Sequence, residues 1–198
     1  MTGGGAKLFE ALQLFDLNGR RKYLSEPESE RFLAAAQRVE PSTRALAELL
    51  AYSGCRISEA LELTGQRLDP GAGVVVFRTL KRRRLCYRAV PIPDALMANL
   101  LGLASEPDRK LWLCCRQTAW RRIKRLMREA AIEGTQASPK GLRHRFGVLA
   151  AERVPLTLAQ RWMGHAKPET TAIYQQVTGV EERRLAERLW PEAGPVPI

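Results

Sequence analysis

The spacing of apolar residues predicts helices in the first third of the chain. Ser25 and Glu28 form a capping-box pattern ahead of "RFLAAAQRV", so a helix begins near residue 26. The stretch "PSTRALAELLAYSG" predicts a second helix that ends at Gly54, and "RISEALELT" predicts a third, shorter helix. Residues 1–22 combine "TGGG" and "NGRRK" with a short apolar stretch, and we expect them to form an appendage or linker.

The pattern changes from helical spacing to strands after this region. "DPGAG" predicts a turn, and "VVVFRTL" and "LCYRAVPIP" predict two strands joined by the basic turn "KRRR", which make a lone hairpin. Helical spacing then returns, with Pro, Thr, Ser and Gly at the predicted ends. The fold class is therefore mainly α with a small antiparallel β-sheet or hairpin, in one domain of residues 23–198 with a loose tail. The later helices are expected near 93–103, 117–131, 139–152, 157–163, 168–176 and 180–190.

Composition narrows the class of protein. With 45% hydrophobic residues, 198 residues can bury the core of one domain. The chain has no apolar run of membrane-spanning length and no signal-peptide pattern, so we expect a soluble, cytoplasmic protein without a membrane partner. Its cysteines lack CxxC spacing, which favours reduced thiols over a zinc site or disulfides. The sequence predicts no metal and no cofactor. The four cysteines are Cys55, Cys86, Cys114 and Cys115.

Charge points to a polyanionic partner. The chain has 32 Lys and Arg residues against 21 Asp and Glu residues, a net charge of +11 and a pI near 10.1. These cations are clustered in "KRRR", "RRIKRLMR" and "KGLRHR", which favours double-stranded DNA as the partner, although a solvated basic surface is an alternative. The expected DNA contacts are Arg82, Arg83, Arg84, Arg121, Arg122, Lys124 and Arg145.

Several residues with suitable chemistry recur at informative positions. Arg56 opens the third helix, Lys81 heads the basic turn, and Lys140 and Arg143 lie three apart, on one helix face. Together with a histidine and a tyrosine near the C-terminus, they offer fixed cations, a proton-transfer group and a phenolic nucleophile.

The histidine and the tyrosine are nine residues apart in "GHAKPETTAIYQQV". Nine helical steps would place His165 and Tyr174 on opposite faces of one helix. Pro168 argues against a continuous helix, because proline favours the first turn and restricts the residue before it. We therefore expect the histidine on a turn and the tyrosine in a new short helix, from which both can reach one point.

Four motifs together resemble the catalytic domain of the tyrosine recombinases, the phage integrase family. They are "SGCRISEAL", "TLKRRRLCYRAVPIP", "SPKGLRHRFG" and "WMGHAKPETTAIY", and the resemblance covers about residues 23–190. It implies a mostly α-helical fold with a small antiparallel sheet. It also implies site-specific DNA cleavage and rejoining through a 3′-phosphotyrosyl bond.

The resemblance also implies a role for each matched residue. Lys140 stands where the family most often has histidine, so its part in proton transfer stays open. Arg82, Arg83 and Arg84 remain rivals of Lys81. The implied set is Arg56 and Arg143 as catalytic arginines, Glu59 as the acidic residue beside the first, Lys81 as the hairpin lysine, His165 as the histidine near the nucleophile, and Tyr174 as the nucleophile.

The chemistry of phosphodiester cleavage needs this combination of residues. A phosphodiester under attack gains negative charge, which fixed arginines can stabilise without a metal. A phenol needs nearby cations to favour its phenolate, and a mobile lysine can protonate the departing 5′-oxygen. Two alternatives are a non-catalytic DNA-binding regulator derived from a recombinase and a metal-dependent nuclease. The nuclease would need converging Asp, Glu or His ligands, and the sequence has no such cluster.

The two ends of the chain bear on assembly. Only about 22 residues precede the motif region, so we expect a compact member with modest, salt-dependent DNA affinity, to which an accessory DNA-binding protein can add contacts. The predicted helix 180–190 carries a stripe of Val180, Leu185, Leu189 and Trp190. This helix either folds back on its own domain or passes to a neighbour, and we expect a tetramer on paired DNA sites.

Overall fold

A computed structural model of the protein describes residues 14–79 and 86–164. Within these ranges the chain forms helices around one core, with a small antiparallel sheet at its side, so the predicted fold class is confirmed. The helices expected near 168–176 and 180–190 lie outside the described residues. The helices are α1 (Glu26–Ala36), α2 (Pro41–Ser53), α3 (Ile57–Ala60), α4 (Asp94–Leu103), α5 (Arg116–Glu129), α6 (Pro139–Arg153) and α7 (Leu156–Met163).

The helix boundaries follow local sequence signals. The Ser25 side chain accepts a hydrogen bond from the backbone N–H of Glu28, and the Glu28 carboxylate accepts one from Ser25, which completes the predicted capping box. Helix α2 ends at Gly54, which adopts the left-handed conformation with φ of 58°. Helix α3 spans only one turn and is shorter than the apolar pattern predicted.

Three strands, rather than the expected lone hairpin, form the sheet. Strand β2 (Val74–Thr79) pairs with β3 (Cys86–Pro91), and a short strand β1 (Leu68–Asp69) pairs with the other edge of β2. The Asp69 carboxylate accepts a hydrogen bond from the N–H of Ala72, so the "DPGAG" turn folds back and adds this strand. The expectation of a lone hairpin is therefore wrong.

Helix α2 is the centre of the core. Five successive or nearly successive positions on it are fully buried, because it packs against α1, α4 and α6 on different sides. Full burial of each large apolar side chain contributes roughly 1.5–3 kcal/mol to folding, so α2 fixes the positions of the elements around it. These positions are Ala45, Leu46, Ala47, Leu49 and Leu50.

The described part of the N-terminal segment packs on the domain. Leu14 is buried, Phe15 forms a β-bridge with Arg21, and the Phe15 ring meets the Tyr23 ring edge-on at 6.3 Å. The assignment of residues 1–22 to an appendage stays a prediction, since residues 1–13 lie outside the described part. No helix in the ranges 14–79 and 86–164 is long and apolar enough to cross a membrane.

All four cysteines are free thiols. Cys55 is buried in the core, and this burial raises its pKa to about 12. The expectation of reduced thiols stays a prediction.

Candidate active site

Arg56 is positioned by the tight turn between α2 and α3. Gly54 and the buried Cys55 lead into Arg56, which is the N-cap residue of α3. Its backbone N–H donates to Glu59 at 2.8 Å, and its guanidinium Nη1 donates to the same carboxylate at 2.9 Å. The side chain is 27% exposed, so this cation is tethered and still accessible to a ligand.

Glu59 is the buried anion at the centre of this corner. Its side chain is 0% exposed, and each of its two oxygens accepts one bond from Arg56 and one from Arg88. Burial by itself raises the pKa of this carboxyl. The hydrogen bonds and charge of Arg88, together with those of Arg56, outweigh burial and hold the pKa below its ordinary value. Glu59 is therefore an ionised carboxylate that supports two guanidinium groups.

Arg88 is the residue at this corner that the sequence reasoning missed. It lies on β3, and its side chain is only 4% exposed. Its Nη1 and Nη2 donate to Glu59 at 3.1 and 2.8 Å, and its Nε donates to the Trp162 carbonyl at 2.8 Å. The guanidinium also lies 4.9 Å from the centre of the Phe77 ring. The available signal was strand alternation, because an arginine occupies an inward position of "CYRAVP" next to inward-facing Val90.

Arg143 is a buried bridge between the ends of two helices. It lies on α6, which begins after Ser138, whose hydroxyl accepts from the Gly141 N–H at 3.2 Å. Its Nη1 donates to the Gly54 carbonyl and its Nη2 to the Met163 carbonyl, each at 2.6 Å. Arg143 thus holds the end of α2, two residues before Arg56, against the end of α7.

The end of α7 is the point where these elements meet. Arg88 binds the Trp162 carbonyl and Arg143 binds the Met163 carbonyl, which complements the partial negative charge at a helix C-terminus. Gly164 then closes the helix with φ of 62°, and the next residue is His165. Arg88 and Arg143, of which only Arg143 was predicted, are therefore anchored to the backbone that leads directly to the predicted histidine.

Three of the predicted catalytic residues cannot be placed on this geometry. Lys81, His165 and Tyr174 lie outside the described residues, as do Arg82, Arg83 and Arg84. Their assignments stay predictions from the sequence.

Lys140 and His144 lie on α6 beside Arg143 and respond to the same positive field. Lys140 is on the surface, yet partial loss of hydration and the charge of Lys22 lower its pKa. His144 is buried, and burial with the charges of Lys140, Arg143 and Lys22 lowers its pKa to about 3. His144 is therefore neutral at physiological pH, while Lys140 is a more acidic ammonium than an ordinary lysine.

The predicted DNA contacts in the described ranges have different surroundings. Helix α5 buries Ala119, Ile123, Leu126 and Met127, and its opposite face is basic. On that face Arg121 is exposed, Arg122 lies 3.5 Å from Glu40, and Lys124 donates to the Ala137 carbonyl at 2.7 Å.

Arg145 differs from these residues. It is 7% exposed, close to the 8% of Arg143, and its assignment as a DNA contact stays a prediction.

The described residues contain no group of three or more His, Cys, Asp or Glu side chains that could hold a metal ion. The acidic residue at the site, Glu59, is instead occupied by arginines.

Comparison with known proteins gives the family of this domain. The fold is that of a tyrosine recombinase catalytic domain, as the catalytic domain of bacteriophage HP1 integrase illustrates: it is 23% identical, with a TM-score of 0.61 over 88% of this chain and 98% of that chain. The family model described as "Phage integrase family" matches residues 22–180. The chain belongs to the phage integrase family.

Two further similarities show the extent of the match. The tyrosine recombinase XerD of Pseudomonas aeruginosa is 32% identical over 186 residues, which cover 86% of this chain and 62% of that protein. The XerH site-specific recombinase, in a post-cleavage complex with palindromic difH substrate, is 21% identical, with a TM-score of 0.70 over 95% of this chain and 65% of that chain. The chain therefore spans under two thirds of the length of these relatives.

Proposed function

We propose that this protein is a site-specific DNA recombinase that cleaves and rejoins DNA strands through a 3′-phosphotyrosyl intermediate, without a metal or a nucleotide cofactor. The observation that supports this most is the shared anchoring of Arg56 and Arg143. Arg143 holds the Gly54 carbonyl two residues before Arg56, and its other arm holds the Met163 carbonyl two residues before His165. Two cations and the approach to the predicted histidine thus belong to one rigid corner.

The proposed roles follow from charge and position. Arg56 and Arg143 bind the scissile phosphate, and because protein contacts already hold them, they need little reorganisation when charge develops. Tyr174 loses its phenolic proton to solvent, favoured by the nearby cations, and its phenolate oxygen attacks phosphorus as the bond from phosphorus to the 5′-oxygen breaks. Lys81 gives that oxygen its proton, and His165 and Lys140 complete the hydrogen-bonding and charge around the phosphate. In the reverse step the 5′-hydroxyl attacks the phosphotyrosine, so rejoining requires no nucleotide.

Double-stranded DNA is the proposed partner. A net charge of +11 and the basic face of α5 favour a polyanion, and binding should weaken steeply with salt. We further propose a tetramer on paired sites, with the C-terminal helix exchanged between protomers and an accessory DNA-binding protein where affinity is limiting. Several structural neighbours are recombinases or integrases in complex with DNA, which supports this choice of partner.

Covalent capture tests the activity and needs no defined target site. Sheared genomic DNA is incubated with protein in EDTA, the mixture is denatured, and DNA that stays linked to protein is sequenced. We expect an adduct with the wild type and with Tyr87→Phe, a control at an exposed tyrosine, and none with Tyr174→Phe. All three proteins should retain DNA binding on native gels.

Each other outcome has a clear meaning. Undiminished adduct with Tyr174→Phe would remove that residue as nucleophile. Binding by the wild type without any adduct would support the non-catalytic regulator, and cleavage abolished by EDTA would support the metal-dependent nuclease.

A further inference from the structure

Two arginines share one buried carboxylate at the proposed site, and only one of them is exposed. Arg56 bonds Glu59 through a single guanidinium nitrogen, whereas Arg88 uses two and closes both carboxylate oxygens. Arg56 is 27% exposed and Arg88 only 4%, so a phosphate can reach the first but not the second.

We propose that Arg88 is a positioning residue for DNA cleavage. By bonding both oxygens of Glu59, it keeps the charge of Arg56 available to the scissile phosphate. By bonding the Trp162 carbonyl, it fixes the backbone that precedes His165. The inference rests on the proposed function. Arg88 itself does not touch DNA.

Charge is the first reason for this role. One carboxylate and two guanidiniums leave a net charge of +1 on the cluster. If Arg88 were neutral, Glu59 and Arg56 would cancel, and Arg56 could turn both of its terminal nitrogens to the carboxylate in the fork geometry that such pairs prefer. That rotation would take its positive charge away from the phosphate. Arg88 prevents it because its own fork already fills Glu59.

Geometry is the second reason. The Nε of Arg88 holds the Trp162 carbonyl at 2.8 Å, and the ring of Phe77 covers the guanidinium at 4.9 Å. Gly164 passes so close that a Cβ there would lie 3.1–3.2 Å from Cδ, Nε and Nη1 of Arg88. Arg88 is thus confined by three elements, and it ties the carboxylate beside Arg56 to the last turn before His165.

The chain contains a matched control for this arrangement. Arg21 bonds Glu28 through both terminal nitrogens at 2.7 Å, and Glu28 also accepts the backbone N–H of its helix N-cap residue, Ser25. The chemistry is the same as at Glu59, but the N-cap residue is serine and not an arginine of the proposed phosphate site.

The test uses the DNA sequence recovered by covalent capture, made with a normal or a methylphosphonate linkage at the scissile position. Arg88→Gln keeps amide donors for Glu59 but removes the charge. We expect it to slow adduct formation roughly 100-fold on the phosphodiester, with a clearly smaller loss on the methylphosphonate. That linkage lacks one negative oxygen and needs less positive charge. DNA binding on native gels and the cleavage rate of Arg21→Gln should match the wild type.

Arg88→Lys separates geometry from charge and is available if the glutamine variant fails to fold. It keeps the charge, but one ammonium cannot hold both Glu59 oxygens and the Trp162 carbonyl together. We expect roughly tenfold slower cleavage on both linkages in protein that remains folded, on the scale of a small misplacement of catalytic groups.

Three results would overturn the inference. They are wild-type cleavage rates in Arg88→Lys, an equal loss on both linkages in a folded Arg88→Gln, and a loss in Arg21→Gln as large as that in Arg88→Gln. An absence of adduct with the wild-type protein would instead overturn the proposed function.

Discussion

The N-termini of two helices in this domain each contain a glutamate paired with an arginine, but the two pairs have different roles. Glu28 in α1 and Glu59 in α3 each accept the backbone N–H of the N-cap residue at 2.8 Å, and each receives both terminal nitrogens of an arginine from elsewhere in the chain. At the first start the arginine is Arg21, which is 35% exposed. At the second it is Arg88, which is 4% exposed.

The N-cap residue explains the difference. Ser25 completes its capping box, because its hydroxyl accepts the N–H of Glu28. Arg56 has no acceptor and cannot return that bond, so α3 gives up a cap worth about 1 kcal/mol. In exchange, the carboxylate that would only stabilise a helix holds a cation at the surface. The cluster of Arg21 and Glu28 stabilises the fold. The cluster of Arg56, Glu59 and Arg88 stabilises its helix less but holds a positive charge at the surface.

The largest difference between the two clusters should be in the unfolding free energy lost when each carboxylate is removed. Glu59→Ala leaves the buried guanidinium of Arg88 uncompensated, which we expect to cost about 3–5 kcal/mol of unfolding free energy. Glu28→Ala lets the half-exposed Arg21 turn to water, at a cost of about 1–2 kcal/mol for the lost cap and pair. Urea unfolding of both variants measures these costs, and equal losses would mean that the two clusters play the same role.

The next largest difference should be in the stability cost of replacing the glycine that precedes each helix, Gly54 before α3 and Gly19 before α1. Gly54 has a positive φ, and an added Cβ would lie 2.3 Å from Cδ1 of Phe146, so Gly54→Ala combines backbone strain with overpacking. We expect a loss of about 2–4 kcal/mol. Gly19 also has a positive φ but has nothing within 4 Å of the added Cβ, so Gly19→Ala should cost only about 1 kcal/mol. Thermal unfolding of the pair tests this, and the expectation is wrong if the Gly19 variant is the less stable.

The smallest expected effect concerns pH. His144 has a pKa of about 3 in the folded protein against an ordinary 6.5, so the unfolded state binds its proton first as the pH falls. Its contribution to stability is complete above pH 6.5 and is lost progressively toward pH 3, by about 1–2 kcal/mol between 6.5 and 5. His144→Asn should flatten the curve in this interval.

The two carboxylates mark a different pH range. The pKa values of Glu28 and Glu59 lie below 4.5, so their contributions are retained above that pH and are lost only as it falls through the folded pKa. Urea unfolding at several pH values separates the effects. Parallel curves for the wild type and His144→Asn between pH 5 and 6.5 would contradict the assignment to His144.

Sequence reasoning succeeded where the decisive contact is local. The box of Ser25 and Glu28, and the stop at Gly54, depend on groups within a few residues, and both are confirmed. It failed where the partner is distant. The acceptors of Arg88 lie 29 and 74 residues away, so its partners could not be predicted from spacing. Strand β1 was missed because its two residues are too few to show the alternation of apolar and polar residues that marks a strand.

The predicted surface residues show the same limit. Lys124 was predicted to contact DNA, and its ammonium donates to the Ala137 carbonyl 13 residues later, while Arg145 is buried; both DNA contacts stay predictions. A basic run identifies the class of partner, but burial and competing acceptors decide which of its members remain on the surface.

The two carbonyls held by Arg143 have a consequence for the order of events during synthesis. One acceptor lies 89 residues before this arginine and the other 20 residues after it. Contacts that close large loops form late, after the helices they join. The corner at Arg56 therefore cannot be completed on a growing chain until residue 163 has left the ribosome. A nascent fragment that ends earlier carries basic segments, but it lacks the Met163 carbonyl that completes the arrangement of Arg56 and Arg143.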